Sequence, residues 1–205
     1  MYKTVYLKKG KEESLGRFHP WVFSGAIHHI DGRPEEGDVV RVVNADGRFL
    51  AVGHIQIGSI AVRVLSFEDI IIGKSFWEER LNAAYNVRKS IFNSQLASSH
   101  QDNTQQTNAF RLVHGEGDGL PGLVIDIYNR TAVMQAHSVG MHVSRRDIAD
   151  ALAKVLDGVV DNIYYKTETT LGYTASEAGG NGFLKGNLAS ADDSATENGL
   201  RFHVD

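Results

Sequence analysis

Hydrophobic and polar positions in the first part of the chain predict strands. Short apolar runs, bounded by turn residues, recur at close spacing, and they read GDVVRVVN (37–44), RFLAVGHI (48–55) and IAVRVLSF (60–67). A shorter run, Val5–Leu7, precedes them. Closely spaced short strands with almost no helical pattern are typical of a small β-barrel. The pattern therefore predicts a β-barrel over residues 1–72.

The second part of the chain, residues 73–205, begins with a helical pattern. Ser75 and Glu78 have the spacing of a capping box, and the apolar residues that follow recur at helical intervals. This pattern predicts a helix over residues 75–93. Residues 94–109 are polar and aperiodic, so they cannot bury enough apolar surface to offset the entropy of ordering, and we expect a flexible loop.

The stretch around which the second part is organised spans residues 110–137 and reads FRLVHGEGDGLPGLVIDIYNRTAVMQAH. Its three apolar runs, separated by a glycine-rich segment and by a short polar turn, predict a β-meander. A helix over residues 144–157 follows, with Ser144 as its N-cap and Gly158 at its end. These elements predict an α+β fold, in which the barrel precedes a mixed α/β domain with an antiparallel sheet and two main helices.

The glycines of the meander imitate a nucleotide-binding loop, because Gly115, Gly117, Gly119 and Gly122 stand close together. Such a loop requires a helix after it, whose N-terminus supplies the amides that hold the ligand. Here a proline and the strand-like LVIDIY follow, so the pattern favours a tight turn with glycines at positive φ. Glu116 and Asp118 are then expected to cap backbone amides. An acid pair with hydrolase activity is the weaker alternative.

Composition and charge narrow the classes of function. The chain has no cysteine, which excludes disulfides, thiolate metal sites and cysteine nucleophiles, and which fits a reducing cytoplasm. No apolar run reaches the length of a membrane span, and the adjacent His28 and His29 are unsuited to gripping one metal ion. We therefore expect a cytoplasmic protein that binds neither membrane nor metal.

The net charge of −4 argues against non-specific coating of nucleic acid, yet the first thirty residues are locally basic. A basic patch can hold phosphates even when the whole protein is acidic, although a solvated lysine-rich terminus explains the charges equally well. Trp21 is expected to be a core or half-buried anchor, with base stacking as the more specific alternative. Arg63 lies inside an apolar strand, so it requires an acidic partner, solvent or a phosphate.

Four segments resemble the bacterial 23S rRNA large-subunit methyltransferases, the S-adenosylmethionine-dependent enzymes that make 5-methylcytosine. They read LKKGKEESLGRFHPWVFSGAI, GSIAVRVLSF, FWEERLNAAYNVRKSI and RLVHGEGDGLPGLVIDIY. The resemblance implies an N-terminal PUA domain, which is a small RNA-binding barrel, then a central α/β domain and a C-terminal Rossmann-like catalytic domain. The final ENGLRFHVD is similar to the lead-in to that catalytic domain, so we expect these 205 residues to lack it.

What the resemblance implies for this chain is RNA binding without catalysis. No catalytic residue carries over, and S-adenosylmethionine is expected to belong to the absent domain; we therefore expect no cofactor in this chain. The residues implied to contact large-subunit rRNA are Lys8, Lys9, Lys11, Arg17, His19, Trp21 and Arg63. The alternative is a stand-alone interaction module that binds RNA, or binds protein through the region of Trp21 and Phe23.

Overall fold

The computed structural model describes residues 2–98, 107–167, 180–187 and 194–204. Its first part is a six-stranded sheet with the strand order β2-β6-β5-β4-β1-β3, in which only β1 and β4 are parallel neighbours. The strands are β1 (Lys3–Leu7), β2 (Trp21–Phe23), β3 (Ile27–Asp31), β4 (Val39–Val43), β5 (Phe49–Ile55) and β6 (Ile60–Ser66). A single-turn helix, α1 (Glu13–Gly16), joins β1 to β2. The sheet is a half-barrel with β2 and β3 at its edges.

The core of this first sheet forms from the alternating apolar positions of its strands. Four valines of this core are fully buried, namely Val5, Val40, Val42 and Val62, and Leu15 of α1 packs against them. Alternate side chains of a strand share one face, so period-two patterning places them together. The strands that the sequence predicted over residues 37–67 are confirmed, whereas β2 and β3 were not predicted because their pattern is too polar and too short.

The second sheet has five strands in the order β11-β10-β9-β8-β7. These are β7 (Ala109–His114), β8 (Leu123–Tyr128), β9 (Thr131–Ala136), β10 (Asn162–Tyr165) and β11 (Gly182–Lys185). Strands β7, β8 and β9 are antiparallel neighbours, which confirms the β-meander. Strand β10 pairs antiparallel with β11 but parallel with β9, so the prediction of an antiparallel sheet fails only for the pair of β9 and β10. A parallel neighbour requires a crossover, and helices supply it here.

Two short helices form this crossover, α3 (Val139–Val143) and α4 (Arg145–Val155). Helix α4 confirms the helix predicted over residues 144–157, but Ser144 does not cap it with its side chain. The capping serine is Ser138, whose hydroxyl accepts a hydrogen bond from the Met141 amide at 3.4 Å and so begins α3. The sequence analysis did not predict α3, which ends at Val143, directly before the predicted helix.

The long helix α2 (Lys74–Ser98) confirms the helix predicted over residues 75–93 and extends beyond it. Residues 94–98 of the predicted flexible loop (94–109) are therefore helical, and residues 99–106 lie outside the described residues. Glutamine, leucine and alanine in the last turn are good helix formers, which suits this extension. The predicted capping box is wrong, since the helix begins before Ser75 and the Glu78 carboxylate accepts from Lys154 Nζ at 2.6 Å instead.

Helices α2 and α4 pack against the second sheet and build its core. This core also includes Leu65 of β6, which is 3% exposed. Strand β6 thus serves two cores, because Val62 and Val64 face the core of the first sheet while Leu65 faces the core of the second. That double burial explains why β6 reads as an almost continuous apolar run.

A hairpin ends the described chain. Its strands are β12 (Ser194–Glu197) and β13 (Leu200–His203), joined by Asn198 and Gly199 at φ values of 50° and 81°. Positive φ at both turn residues is the geometry that Asn-Gly favours. Asn108 holds the hairpin beside β7, because its side-chain oxygen accepts from the Thr196 amide at 2.6 Å.

Candidate nucleic-acid interface

Strand β2 carries a row of aromatic side chains at an edge of the first sheet. His19, Trp21 and Phe23 alternate along the chain, and their ring centroids are 5.7 Å and 6.4 Å apart in sequence order. The Trp21 amide donates to His19 Nδ1 at 3.3 Å, which fixes the turn into the strand, and Val22 points into the core. Trp21 is half-buried and Phe23 is 48% exposed. The prediction of a half-buried Trp21 is confirmed.

Arg63 lies directly opposite Trp21 in the antiparallel pairing of β2 with β6. Its Nη1 donates to the side-chain oxygen of Gln56 at 3.1 Å. Partial burial lowers the pKa of Arg63, and the nearby Glu116 carboxylate raises this pKa in the opposite sense. The sequence required an acidic partner, solvent or a phosphate for this arginine. The structure supplies an amide partner and a carboxylate that acts on Arg63 electrostatically.

The glycine-rich turn of the second sheet brings Glu116 to this place. Residues 115–118 form one turn of 3-10 helix, closed by Gly119 at φ 68° and followed by β8. Asp118 Oδ2 accepts from the His114 amide at 2.6 Å, and its carboxylate forms a two-pronged ion pair with Arg88 of α2. The turn role predicted for Asp118 is therefore confirmed, as is the tight turn between strands.

Glu116 does not have the turn role predicted for it. Its Oε1 accepts a hydrogen bond from the indole Nε1 of Trp21 at 3.0 Å, across 95 positions of sequence. We call His19, Trp21, Phe23, Arg63 and Glu116 the junction surface, because the two sheets meet there. The local sequence does not predict this contact, because a carboxylate in a glycine turn is equally able to accept hydrogen bonds from its own backbone.

The basic segment, residues 8–17, begins with Lys8 beside the C-terminal end of β2 and ends at Arg17, two residues before His19. Lys8 Nζ donates to the Gly25 carbonyl at 2.9 Å, and the Lys8 amide donates to the Ala26 carbonyl at 2.8 Å. Lys9, Lys11 and Arg17 are exposed, and their side chains form no hydrogen bond or ion pair with any residue that the structure describes. Three cations are therefore free to meet an anionic partner next to the aromatic row.

A buried histidine stands behind the junction surface. His54 of β5 is 2% exposed, stacks on Trp77 of α2 at 6.2 Å, and has its Nε2 3.4 Å from the Ser144 hydroxyl. Burial, followed by the charge of Arg63, lowers the pKa of His54 to about 4, so the ring is neutral at neutral pH. Its Nδ1 is buried without a hydrogen-bond partner in the described structure. This ring fixes the first sheet against helices α2 and α3.

The described residues contain no group of three metal-ligating side chains. His28 and His29, which were judged unsuited to one metal ion, are both exposed on β3 with their rings nearly perpendicular. In the part of the chain that the structure covers, no helix has the length and apolarity required to cross a bilayer.

Comparison with known proteins identifies the first sheet. Residues 5–67 match the family model of the PUA-like domain, so the half-barrel that carries the aromatic row and Arg63 is a PUA-like domain. Over its whole length, the chain is similar to the ribosomal RNA large subunit methyltransferase I of Vibrio vulnificus, with 31% identity, and to that of Pseudoalteromonas translucida, with 33% identity. It spans 49% of the length of each of these relatives.

Solved structures share the fold. A protein from Streptococcus mutans, described as a SAM-dependent methyltransferase, superposes with a TM-score of 0.72 at 18% identity, over 98% of this chain and 49% of that one. A methyltransferase crystallised with SAH superposes with a TM-score of 0.73, also at 18% identity, over 98% of this chain and 48% of that one. The arrangement of the two sheets therefore recurs in longer proteins.

Proposed function

We propose that this chain is the RNA-binding part of an S-adenosylmethionine-dependent methyltransferase that makes 5-methylcytosine in 23S rRNA. In this proposal residues 1–72 recognise the RNA and residues 73–205 connect them to a catalytic domain outside these 205 residues. The chain binds and positions large-subunit rRNA in the cytoplasm and is not itself catalytic. S-adenosylmethionine is the cofactor of the whole protein. The similarity to the large-subunit methyltransferases supports this assignment.

The observation that carries the proposal is the position of the free cations in the PUA-like domain. Lys9, Lys11 and Arg17 are exposed and unpaired within the described structure, and they belong to the segment that joins β1 to the row of three aromatic rings. Cations hold phosphates without regard to sequence, and rings stack on unpaired bases. A surface that offers both is suited to a folded RNA with exposed bases, because single-stranded loops and bulges present both groups together.

The test measures binding of the 205-residue chain to a labelled large-subunit rRNA fragment at several salt concentrations. Replacing Lys8, Lys9 and Lys11 together by glutamine should weaken binding at low salt about tenfold or more and reduce the slope of log affinity against log salt by about 2, since each phosphate contact contributes roughly 0.7 to 0.9. The matched control replaces three exposed lysines of the second part, Lys89, Lys154 and Lys166, by glutamine. Equal losses in both variants would contradict the proposal.

A protein-binding module is the second candidate, and the exposed aromatic side chains favour it. Phe18 is 71% exposed and Phe23 is 48% exposed. Apolar contacts are not screened by salt as phosphate contacts are. The same titration separates the two candidates, because an affinity that does not change with salt supports apolar docking.

A further inference from the structure

We propose that Glu116 reads the edge of an unpaired guanine that stacks on Trp21. The inference rests on the proposed RNA binding and adds to it a specificity-determining residue from outside the PUA-like domain. The site is composite, since Trp21 and Arg63 come from the first sheet whereas Glu116 comes from the glycine turn of the second.

The carboxylate of Glu116 is held in place and still has capacity to accept hydrogen bonds. Its Oε1 accepts from Trp21 Nε1 at 3.0 Å, and its Oε2 has no partner among the residues that the structure describes. Glu116 is exposed, so Oε2 is accessible to a ligand. An ionised carboxylate has about four acceptor sites, of which the indole occupies one.

The turn that carries Glu116 is fixed independently of the indole. Asp118 accepts from the His114 amide at 2.6 Å and pairs with Arg88 of α2, and both side chains of this pair are largely buried, at 9% and 18% exposure. The Glu116 carboxylate is therefore positioned before any ligand binds. Preorganised acceptors favour the ligand whose donors match them, because little ordering entropy is lost on binding.

The negative charge of Glu116 indicates which part of an RNA this site binds. A carboxylate repels a phosphate, and Glu116 already acts electrostatically on Arg63, the cation opposite Trp21 on β6. Phosphates are better held by Lys9, Lys11 and Arg17, whose side chains are exposed and have no carboxylate partner among the described residues. The junction surface is then left for a base, which is uncharged and has N–H donors at its edge.

Hydrogen-bond geometry selects the base. Guanine has two adjacent donors on its Watson–Crick edge, N1–H and the exocyclic N2 amine, and these match the two oxygens of a carboxylate. Adenine and cytosine each place an acceptor nitrogen beside their amine, and uracil flanks its single donor with two carbonyl oxygens. A site that is built to accept such donors rejects bases that lack them, because the mismatch leaves polar groups unpaired.

The test is a competition assay on the 205-residue chain. A labelled rRNA fragment is bound first and is then displaced by unlabelled RNAs of roughly nine nucleotides, long enough to cover one small binding surface. These competitors are uridine runs with a central guanosine, inosine, adenosine or uridine. We expect the guanosine competitor to act at about tenfold lower concentration than the all-uridine one, with inosine, which lacks the N2 amine, in between.

Substituting the carboxylate decides the assignment. In Glu116→Gln the side-chain oxygen can still accept from Trp21 Nε1, but the second oxygen becomes an amide donor, so the guanosine preference should fall from about tenfold to about onefold. The control Glu197→Gln removes the same charge at the hairpin, which contacts the opposite end of β7 through Asn108, and it should keep the preference.

Two results would overturn the inference: all four competitors displace the labelled fragment from the wild-type chain equally well, or the guanosine preference survives in Glu116→Gln. Either result leaves the proposed RNA binding standing, since that proposal is judged by the lysine variants and the salt slope. Failure of the labelled fragment to bind at all would remove both.

Discussion

The imidazole of His54 occupies the space that a side chain on Gly140 would require. A Cβ built on Gly140 would lie 2.1 Å from His54 Cγ and 2.3 Å from its Nδ1. His54 belongs to β5 of the first sheet, and Gly140 belongs to α3 of the crossover in the second. Close approach of the two elements therefore depends on the absence of a side chain at residue 140.

Replacing Gly140 by alanine should destabilise the protein by about 2 kcal/mol or more, because a buried ring on a central strand cannot move aside without shifting the backbone. Urea unfolding, followed by circular dichroism, measures this as a lower midpoint. The control is Gly16→Ala in α1, where a Cβ meets nothing within 4 Å. An unchanged midpoint for Gly140→Ala would show that α3 does not pack closely against His54.

Stability should fall as the pH is lowered from neutrality, in part because of His54. The ring has its ordinary pKa of 6.5 when the chain is unfolded and a pKa of about 4 when it is buried in the fold. Between these pH values the unfolded chain binds more protons than the folded chain does. The contribution of the neutral His54 ring to stability is therefore complete above pH 6.5 and is lost as the pH falls towards 4. From about pH 7.5 to about pH 5 the loss from this one group is about 2 kcal/mol.

The variant His54→Gln isolates this contribution, because carboxylates elsewhere titrate alike in both proteins. The slope of its free energy of unfolding against pH should be smaller across this window, by the equivalent of up to one bound proton per molecule. This difference in slope is expected whatever the stability of the variant at neutral pH. The check is a series of urea titrations on both proteins at several pH values. Parallel pH profiles would mean that His54 is not buried as a neutral ring.

Removing the carboxylate of Asp118 should loosen the glycine turn. In Asp118→Ala the largely buried Arg88 loses its ion-pair partner and the His114 amide loses its acceptor, so we expect a loss of about 2 to 3 kcal/mol in the free energy of unfolding. The matched control breaks the solvent-exposed pair of Arg130 with Asp161 through Asp161→Ala. Water already screens that pair, so its loss should leave the midpoint nearly unchanged.

Trp21 should report RNA binding directly through its fluorescence. The chain has two tryptophans, of which Trp77 is 2% exposed and shielded, while Trp21 is half-buried at the junction surface. A base stacked on Trp21 should quench part of the emission of the wild-type chain. In Trp21→Phe, which keeps a ring for stacking, the quenching should disappear. Equal quenching in both proteins would place the bound RNA away from β2.

Local patterns were sufficient to predict most strands and both main helices. Strands β4, β5 and β6 and the β-meander each bury one or both faces, so their apolar periodicity was strong enough to read. Strands β2 and β3 escaped notice because they are edge strands of three and five residues with exposed side chains, among them Phe23, His28 and His29. Their pairing partners, not their own residues, make them strands.

Contacts between distant segments could not be predicted in this way. The bond from Trp21 to Glu116 joins a short strand to a glycine turn, and neither segment shows a sequence signal for the other. The parallel pairing of β10 with β9 was also missed, because an apolar run does not show the direction of its neighbour. Of the candidate RNA-binding residues, the structure brings His19, Trp21 and Arg63 together, and their contact with RNA stays a prediction.

Strand β6 couples the stability of the two sheets. Since Val64 is buried in one core and Leu65 in the other, neither sheet can lose its packing without exposing a face of the same strand. The chain should accordingly melt in a single cooperative step, even though it contains two sheets. A fragment cut after residue 72 would leave Leu65 and His54 uncovered in water. The boundary between the two parts is therefore a poor place at which to divide this protein.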